Sequence, residues 1–188
     1  MKILHLKTKW VDFLYRVATG SKKFRNILTP IGATLYILFT TLFVVAALQL
    51  DIVLNLPKFI AEPINTILAL PLIILGACIS LWSALHFIKV KGTPVPINPP
   101  PKLVTSGPFA YARNPMVTGI FIILFGLGIL YSSVTLILLF TPLFIFINIW
   151  ELKAIEEPEL EKRLGEEYIE YKSRTPMFIP GLRKGPNN

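Results

Sequence analysis

The stretch Val117–Trp150, VTGIFIILFGLGILYSSVTLILLFTPLFIFINIW, contains no charged residue. A helix needs about 20 apolar residues to cross the hydrocarbon core of a bilayer. Three residues, Tyr131-Ser132-Ser133, divide the stretch into two apolar segments, Val117–Leu130 and Val134–Trp150. Because the interruption is so short, we expect two transmembrane helices that form a hairpin around a tight turn.

Two further apolar segments, Ile31–Leu50 and Ile64–Ile88, precede this hairpin. The chain of 188 residues is 53% hydrophobic and 16% charged, and its mean hydropathy is +0.61. Soluble domains carry about 25% charged residues. The sequence therefore predicts an all-α integral membrane helical bundle, a single domain over residues 1–188 with about four transmembrane helices.

Amphipathic segments flank these spans. Residues 3–17, ILHLKTKWVDFLYRV, combine apolar side chains with a cationic side and predict an interfacial helix. After Glu151, apolar and aromatic residues recur at helical spacing and predict a C-terminal amphipathic helix on the cytosolic side: Ile155, Leu160, Leu164, Tyr168 and Tyr171. Pro158 lacks a backbone N–H, so a new helix is expected to begin there. The segment Thr175–Pro180 predicts an extended strap.

The distribution of lysine and arginine predicts the orientation. Seven lie in residues 1–30, one in 51–63, four in 89–116 and seven in 151–188. Cytoplasmic segments of membrane proteins are enriched in these cations. We therefore expect both termini and the 89–116 link in the cytosol, with the spans in the lipid of the cell membrane.

Composition also excludes several classes of function. The net charge of +8 does not indicate nucleic-acid binding, because the cations flank apolar segments as they do at a membrane surface. Cys78 is the single cysteine, so no internal disulfide is expected. His5 and His86 do not have the spacing of metal ligands, and we expect no metal site.

Two polar features are expected to meet at the cytosolic face. Six prolines between Pro94 and Pro108 keep the link extended, and Arg113 precedes the Asn114-Pro115 that begins the third span. The pair Glu156-Glu157 follows the fourth span. Arg113 could be only a membrane anchor, and the glutamates could only complement a helix dipole. Together with nearby aromatic residues, they predict a pocket for a zwitterionic, aromatic-bearing cofactor.

The two features carry a family resemblance. The block Leu103–Gly119, LVTSGPFAYARNPMVTG, is followed after the hairpin by Glu156–Leu160, EEPEL, and then by spaced glycine, tyrosine and proline residues. This order resembles the membrane methyltransferases of the isoprenylcysteine carboxyl methyltransferase and phospholipid methyltransferase type. The match runs from Gly92 to Pro180, about half of the chain.

The resemblance implies S-adenosylmethionine as cofactor, bound by the parts 92–119 and 151–180. In similar proteins the first glutamate of the pair, here Glu156, meets the methionyl ammonium. Arg113 either holds the cofactor carboxylate or braces the link. The cofactor-binding residues implied are Pro101, Lys102, Leu103, Val104, Gly107, Phe109, Arg113, Asn114, Pro115, Met116, Val117, Glu156 and Glu157.

Three departures from the family pattern bear on the substrate. Asn114 replaces a usual histidine and Val117 a usual tyrosine, and Leu152 stands where the prenylcysteine enzymes have an arginine for the substrate carboxylate. The methyl acceptor remains open among a lipid head group, a lipidic carboxylate and a small hydrophobic thiol. No general base is identified. The alternative is a non-catalytic membrane scaffold or a small transporter subunit that keeps the fold.

Overall fold

A computed structural model describes residues 2–90 and 92–178, with side chains from residue 8 onward. These residues form helices and irregular connections without any strand, which confirms the all-α class. The helices are α1 Lys2–Ala18, α2 Lys22–Val53, α3 Ile64–Lys89, α4 Pro115–Leu130, α5 Leu136–Leu164 and α6 Glu166–Arg174.

Four of these helices are apolar and correspond to the four predicted spans. Helices α2, α3 and α5 are each long enough to cross a membrane, and α4 is a shorter apolar helix. Helices α2 and α5 extend well beyond the expected Ile31–Leu50 and Val134–Trp150, because charged turns continue them at the membrane surfaces. The protein is an integral membrane helical bundle, as predicted.

The hairpin turn between α4 and α5 is held by hydrogen bonds with the end of α2, the start of α3 and the connection between them. Asn65 Nδ2 donates to the Leu130 carbonyl at 2.7 Å, and Ser132 Oγ donates to the Ile60 carbonyl at 2.7 Å. Asp51, near the end of α2, accepts hydrogen bonds from Ser133 Oγ and from the Thr135 backbone N–H. The turn therefore has hydrogen-bond partners for its polar groups within the protein.

Small residues let α3 and α4 approach closely. A Cβ atom on Gly119 would overlap Ser80 Oγ and the Gly76 carbonyl, and one on Gly126 would lie 2.7 Å from Ile73 Cγ1. Gly119 and Gly126 therefore serve close packing of the two helices.

The second half of α5 differs from the sequence prediction. The helix continues from Leu136 to Leu164 without interruption, so the expectation that a new helix begins at Pro158 is wrong. A π-helical turn over Leu152–Glu156 directly precedes Pro158, and this wider turn accommodates a residue without an N–H. The predicted single amphipathic helix is instead broken at Gly165, whose φ of 60° separates α5 from α6.

Helix α1 packs against the charged end of α5. Leu14 and Val17 are buried there, and Lys162 Nζ lies 2.7 Å from Asp12 Oδ1. Pairing with Lys162 lowers the pKa of the Asp12 carboxyl. Residues 92–114 and helix α6 lie at this same end of the bundle. The end of the predicted strap, residues 179–180, lies outside the described residues.

Candidate functional site

The link between α3 and α4 is fastened to the C-terminal helices. The buried Tyr171 hydroxyl donates to the Phe109 carbonyl at 2.7 Å, and the Phe109 ring packs on Phe87 with centroids 4.7 Å apart. Arg163 Nη1 donates to the Pro100 carbonyl at 3.4 Å. Since proline carbonyls in an extended link have no helical partners, these contacts fix the path of the link over the end of α5.

The bend that begins α4 is joined to the segment after α6 by backbone hydrogen bonds. The Arg113 N–H donates to the Pro176 carbonyl at 2.8 Å, and the Asn114 N–H donates to the Met177 carbonyl at 3.0 Å. Asn114 Nδ2 also donates to the Met177 carbonyl at 3.4 Å. The two sequence blocks that carry the family resemblance are therefore in direct contact.

A buried ion-pair cluster reinforces this junction. Arg113 Nη2 lies 2.9 Å from Glu157 Oε1, and the two side chains are only 10% and 6% exposed. Lys172 Nζ lies 2.7 Å from Glu157 Oε2 and 2.8 Å from Glu161 Oε1. Burial alone would lower the pKa of the Lys172 ammonium, but its hydrogen bonds with Glu157 and Glu161 raise it. Each carboxylate oxygen of Glu157 thus lies within ion-pair distance of a cation.

A narrow pocket lies between the link and the C-terminal helices, with a cavity of about 90 Å³. Arg113 and Glu156 both line it, and Arg113 Nε is buried without a hydrogen-bond partner. The aromatic residues Phe109, Tyr168 and Tyr171 also line it. Burial raises the pKa of both tyrosines, so their phenols stay neutral in the physiological range.

A larger and mainly apolar cavity of about 600 Å³ adjoins the narrow pocket. Its walls come from α1, α2, α4 and α5, and it shares Glu156 and the residues Pro94–Pro96 with the narrow pocket. Small-molecule sites in proteins usually have volumes of about 300–1,000 Å³. The larger cavity lies within this range, whereas the narrow pocket lies below it.

The predicted site residues fall into three groups. Seven line the narrow pocket: Lys102, Leu103, Val104, Phe109, Arg113, Asn114 and Glu156. Met116 and Val117 line the larger cavity, as does Glu156. Pro101, Gly107, Pro115 and Glu157 line neither.

The residues outside both cavities have other roles. Pro101 is exposed, Pro115 is buried at the start of α4, and a Cβ on Gly107 would overlap the His86 ring. Glu157 forms the ion pairs described above.

Sequence reasoning missed several lining residues. Five residues of α5 and α6 line the narrow pocket although they were not predicted as site residues: Leu160, Arg163, Leu164, Tyr168 and Tyr171. Tyr36, Asn148 and Glu151 line the larger cavity. The sequence offered a signal for two of these residues. Tyr36 and Asn148 are isolated polar residues within apolar spans, and such residues in membrane helices usually have a function.

Comparison with known proteins identifies the family. The chain belongs to the phospholipid methyltransferase family, whose model matches residues 64–167. The matched region extends from α3 into α6, and therefore contains the link, the hairpin and both glutamates of the pair. This agrees with the resemblance found in the sequence and supports a membrane methyltransferase.

Two relatives are similar over part of their length. The chain is 31% identical over 102 residues to the nickel-cobalt-cadmium resistance protein NccN of Alcaligenes xylosoxydans xylosoxydans, covering 54% of this chain and 43% of the relative. It is 30% identical over 84 residues to methanethiol S-methyltransferase 1 of Bradyrhizobium diazoefficiens, covering 45% and 28%. The chain thus spans less than half the length of either relative. No solved structure matches it.

Proposed function

We propose that the protein transfers a methyl group from S-adenosylmethionine to a hydrophobic or amphiphilic acceptor at the cytosolic membrane face. The observation that carries this proposal is a pocket lined by both Glu156 and Arg113, adjoining a larger apolar cavity. Glu156 has no hydrogen-bond or ion-pair partner among the described residues, and Arg113 Nε has no hydrogen-bond partner. A ligand that carries both an ammonium and a carboxylate would satisfy both groups.

The residues of the narrow pocket fit the cofactor chemically. Glu156 would bind the ammonium and Arg113 Nε the carboxylate, while the terminal nitrogens of Arg113 brace the bend through Glu157 and the Lys172 carbonyl. Phe109 and Tyr168 offer aromatic surface for a purine. At about 90 Å³ the pocket is narrower than a nucleoside, so the proline-rich link has to move outward to admit the cofactor.

The reaction depends more on the alignment of methyl donor and acceptor than on acid–base catalysis by residues of the pocket. When bound, S-adenosylmethionine supplies a methyl group that its positively charged sulfur already activates. The link and α6 would exclude water above the site, and the junction of the two cavities at Glu156 would bring donor and acceptor together. The acceptor would enter the larger cavity from the bilayer, because that cavity is mainly apolar.

The decisive experiment is the Glu156→Ala variant, titrated with S-adenosylhomocysteine by calorimetry in detergent. We expect binding to be lost, whereas Glu167→Gln, a change on the exposed face of α6, should bind as the wild type does. Unchanged binding in Glu156→Ala would contradict the assignment. No binding to the wild type at millimolar ligand would favour the non-catalytic alternative.

The orientation belongs to the same proposal. The excess of lysine and arginine at the end that carries the link and α6 supports a cytosolic location for this end. Cysteine introduced at position 173, which is exposed, should react with a membrane-impermeant maleimide only after the membrane is opened. Labelling of position 173 in intact cells would contradict this orientation.

A further inference from the structure

Helix α1 turns one face toward the end of α5 and a chemically different face outward. Leu14 and Val17 are buried against the bundle. Lys9, Phe13 and Arg16 follow one another at spacings of four and three residues, so they share one face of the helix. All three are exposed. The outer face of α1 therefore combines an aromatic ring with two cations.

A second aromatic ring lies beside this face. Trp10 and Phe13 are each 52% exposed, and their rings meet edge to face with centroids 5.9 Å apart. Both residues also line the larger cavity at its α1 wall. Exposed aromatic residues next to cations are typical of a helix that lies in the membrane interface.

The contacts of α1 put it at the level where the apolar spans end. Its ion-pair partner Lys162 belongs to the charged last turns of α5. Helix α2 begins at Lys22, and Phe24 in its first turn is already 51% exposed, as lipid-facing residues are. Arg25 Nη1 donates to the Ala18 carbonyl at 3.0 Å and fastens the corner between the two helices. The start of α2 therefore continues the surface of α1.

The charge of this surface is one-sided. Residues 1–50 contain seven lysine or arginine residues and one acidic residue, Asp12. Lys162 Nζ lies 2.7 Å from Asp12 Oδ1, and Arg16 also acts on this carboxylate, so its negative charge is balanced within the protein. Four exposed cations form no ion pair with any described residue: Lys9, Arg16, Lys22 and Lys23. The surface is thus complementary to an anionic partner.

We propose that the outer face of α1 and the first turn of α2 bind anionic lipid headgroups of the bilayer that holds the protein. The four cations contact the lipid phosphates, and Trp10 and Phe13 insert at the boundary between headgroups and acyl chains. An acidic soluble protein would pair with the cations but would not place the two rings in hydrocarbon. The inference is independent of the proposed methyl transfer, and this surface lies outside the residues 64–167 that match the family.

Quenching of Trp10 fluorescence by brominated lipids tests the inference. Of the three tryptophans, Trp82 and Trp150 are 48% and 58% exposed, and replacing both with phenylalanine leaves Trp10 as the only emitter. The full chain with these two changes is reconstituted into mixed phosphatidylcholine and phosphatidylglycerol vesicles. Bromine is carried by the acyl chains of the phosphatidylglycerol or of an equal fraction of phosphatidylcholine.

We expect phosphatidylglycerol to be enriched beside Trp10 by about fivefold over phosphatidylcholine, the ratio that corresponds to about 1 kcal/mol for one cation near an anionic surface. In about 1 M salt the Debye length falls to about 3 Å, so most of this preference should disappear. A surface that only packs against lipid chains would not respond to salt in this way.

Charge variants assign the preference to α1. Lys9→Gln combined with Arg16→Gln should reduce it by at least about twofold, whereas Lys9→Arg combined with Arg16→Lys should keep it. Lys58→Gln, which removes an exposed cation from the connection between α2 and α3, should leave it unchanged. Equal quenching by the two brominated lipids, a preference that persists in about 1 M salt, or an unchanged preference in the double glutamine variant would overturn the inference. Absence of quenching by either lipid would also overturn it and would favour a soluble acidic partner.

Discussion

Truncation of the two adjacent glutamates at the end of the fourth span should have different effects, on stability for Glu157 and on ligand binding for Glu156. Glu157→Ala leaves Arg113, whose side chain is 10% exposed, without its carboxylate partner. Removal of one member of a buried ion pair costs about 3–5 kcal/mol. Lys172 adds little to this loss, because its side chain is 35% exposed and it keeps Glu161. At about 2–4 °C per kcal/mol for a chain of this size, the melting temperature should fall by about 6–20 °C.

Glu156→Ala should behave differently. It removes a carboxylate that has no partner among the described residues, so we expect the free energy of unfolding to change by less than about 1 kcal/mol. The binding of S-adenosylhomocysteine should nevertheless be lost. Thermal unfolding followed by tryptophan fluorescence in one detergent, together with calorimetric titration, measures both quantities for each variant.

A double variant separates the loss of the ion pair from other effects. Arg113→Met combined with Glu157→Leu removes both charges and should recover most of the melting temperature lost in Glu157→Ala, since no unpaired buried charge remains. The reasoning fails if Glu157→Ala unfolds at the wild-type temperature. It also fails if Glu156→Ala is destabilised as strongly as Glu157→Ala, because the two residues would then share one structural role.

Three further changes test the scaffold. Gly119→Leu should destabilise the protein by about 1–3 kcal/mol through overpacking between α3 and α4, and a melting temperature equal to that of the wild type would contradict the close packing. Asp51→Ala should cost about 1–3 kcal/mol, because the hydroxyl and backbone N–H groups at the hairpin turn lose their acceptor; protease resistance at the turn measures this. Burial raises the pKa of Tyr168 and Tyr171, whose ordinary value is 10.0. Above that pH the unfolded chain ionises them and the folded protein does not, so the free energy of unfolding should fall as pH rises, less steeply in the Tyr168→Phe, Tyr171→Phe double variant.

The membrane architecture was predictable because it depends on segment length and hydropathy, which are local properties. The turn at Tyr131–Ser133 was found because three polar residues interrupt a long apolar stretch. Whether the helix would continue through Pro158 was not predictable from the sequence. Whether a proline ends a helix depends on whether the preceding turn can widen, and the tertiary packing of Leu152–Glu156 decides this.

Only those residues of the candidate site that lie within a sequence motif were predictable. The motif identified Arg113 and gave Glu156 a role at the cofactor ammonium, but it did not predict that Glu157 pairs with the cations of the bend and of α6. Glu157 is paired and Glu156 faces both cavities, and this division follows from helix rotation, which residue types alone do not give.

The shape of α5 explains why Glu151 was not predicted as a cavity residue. Glu151 lies five positions before Glu156, and a regular helix would point it away from the cofactor pocket. Only the π-helical turn brings both carboxylates to one cavity, and no motif marks such a turn.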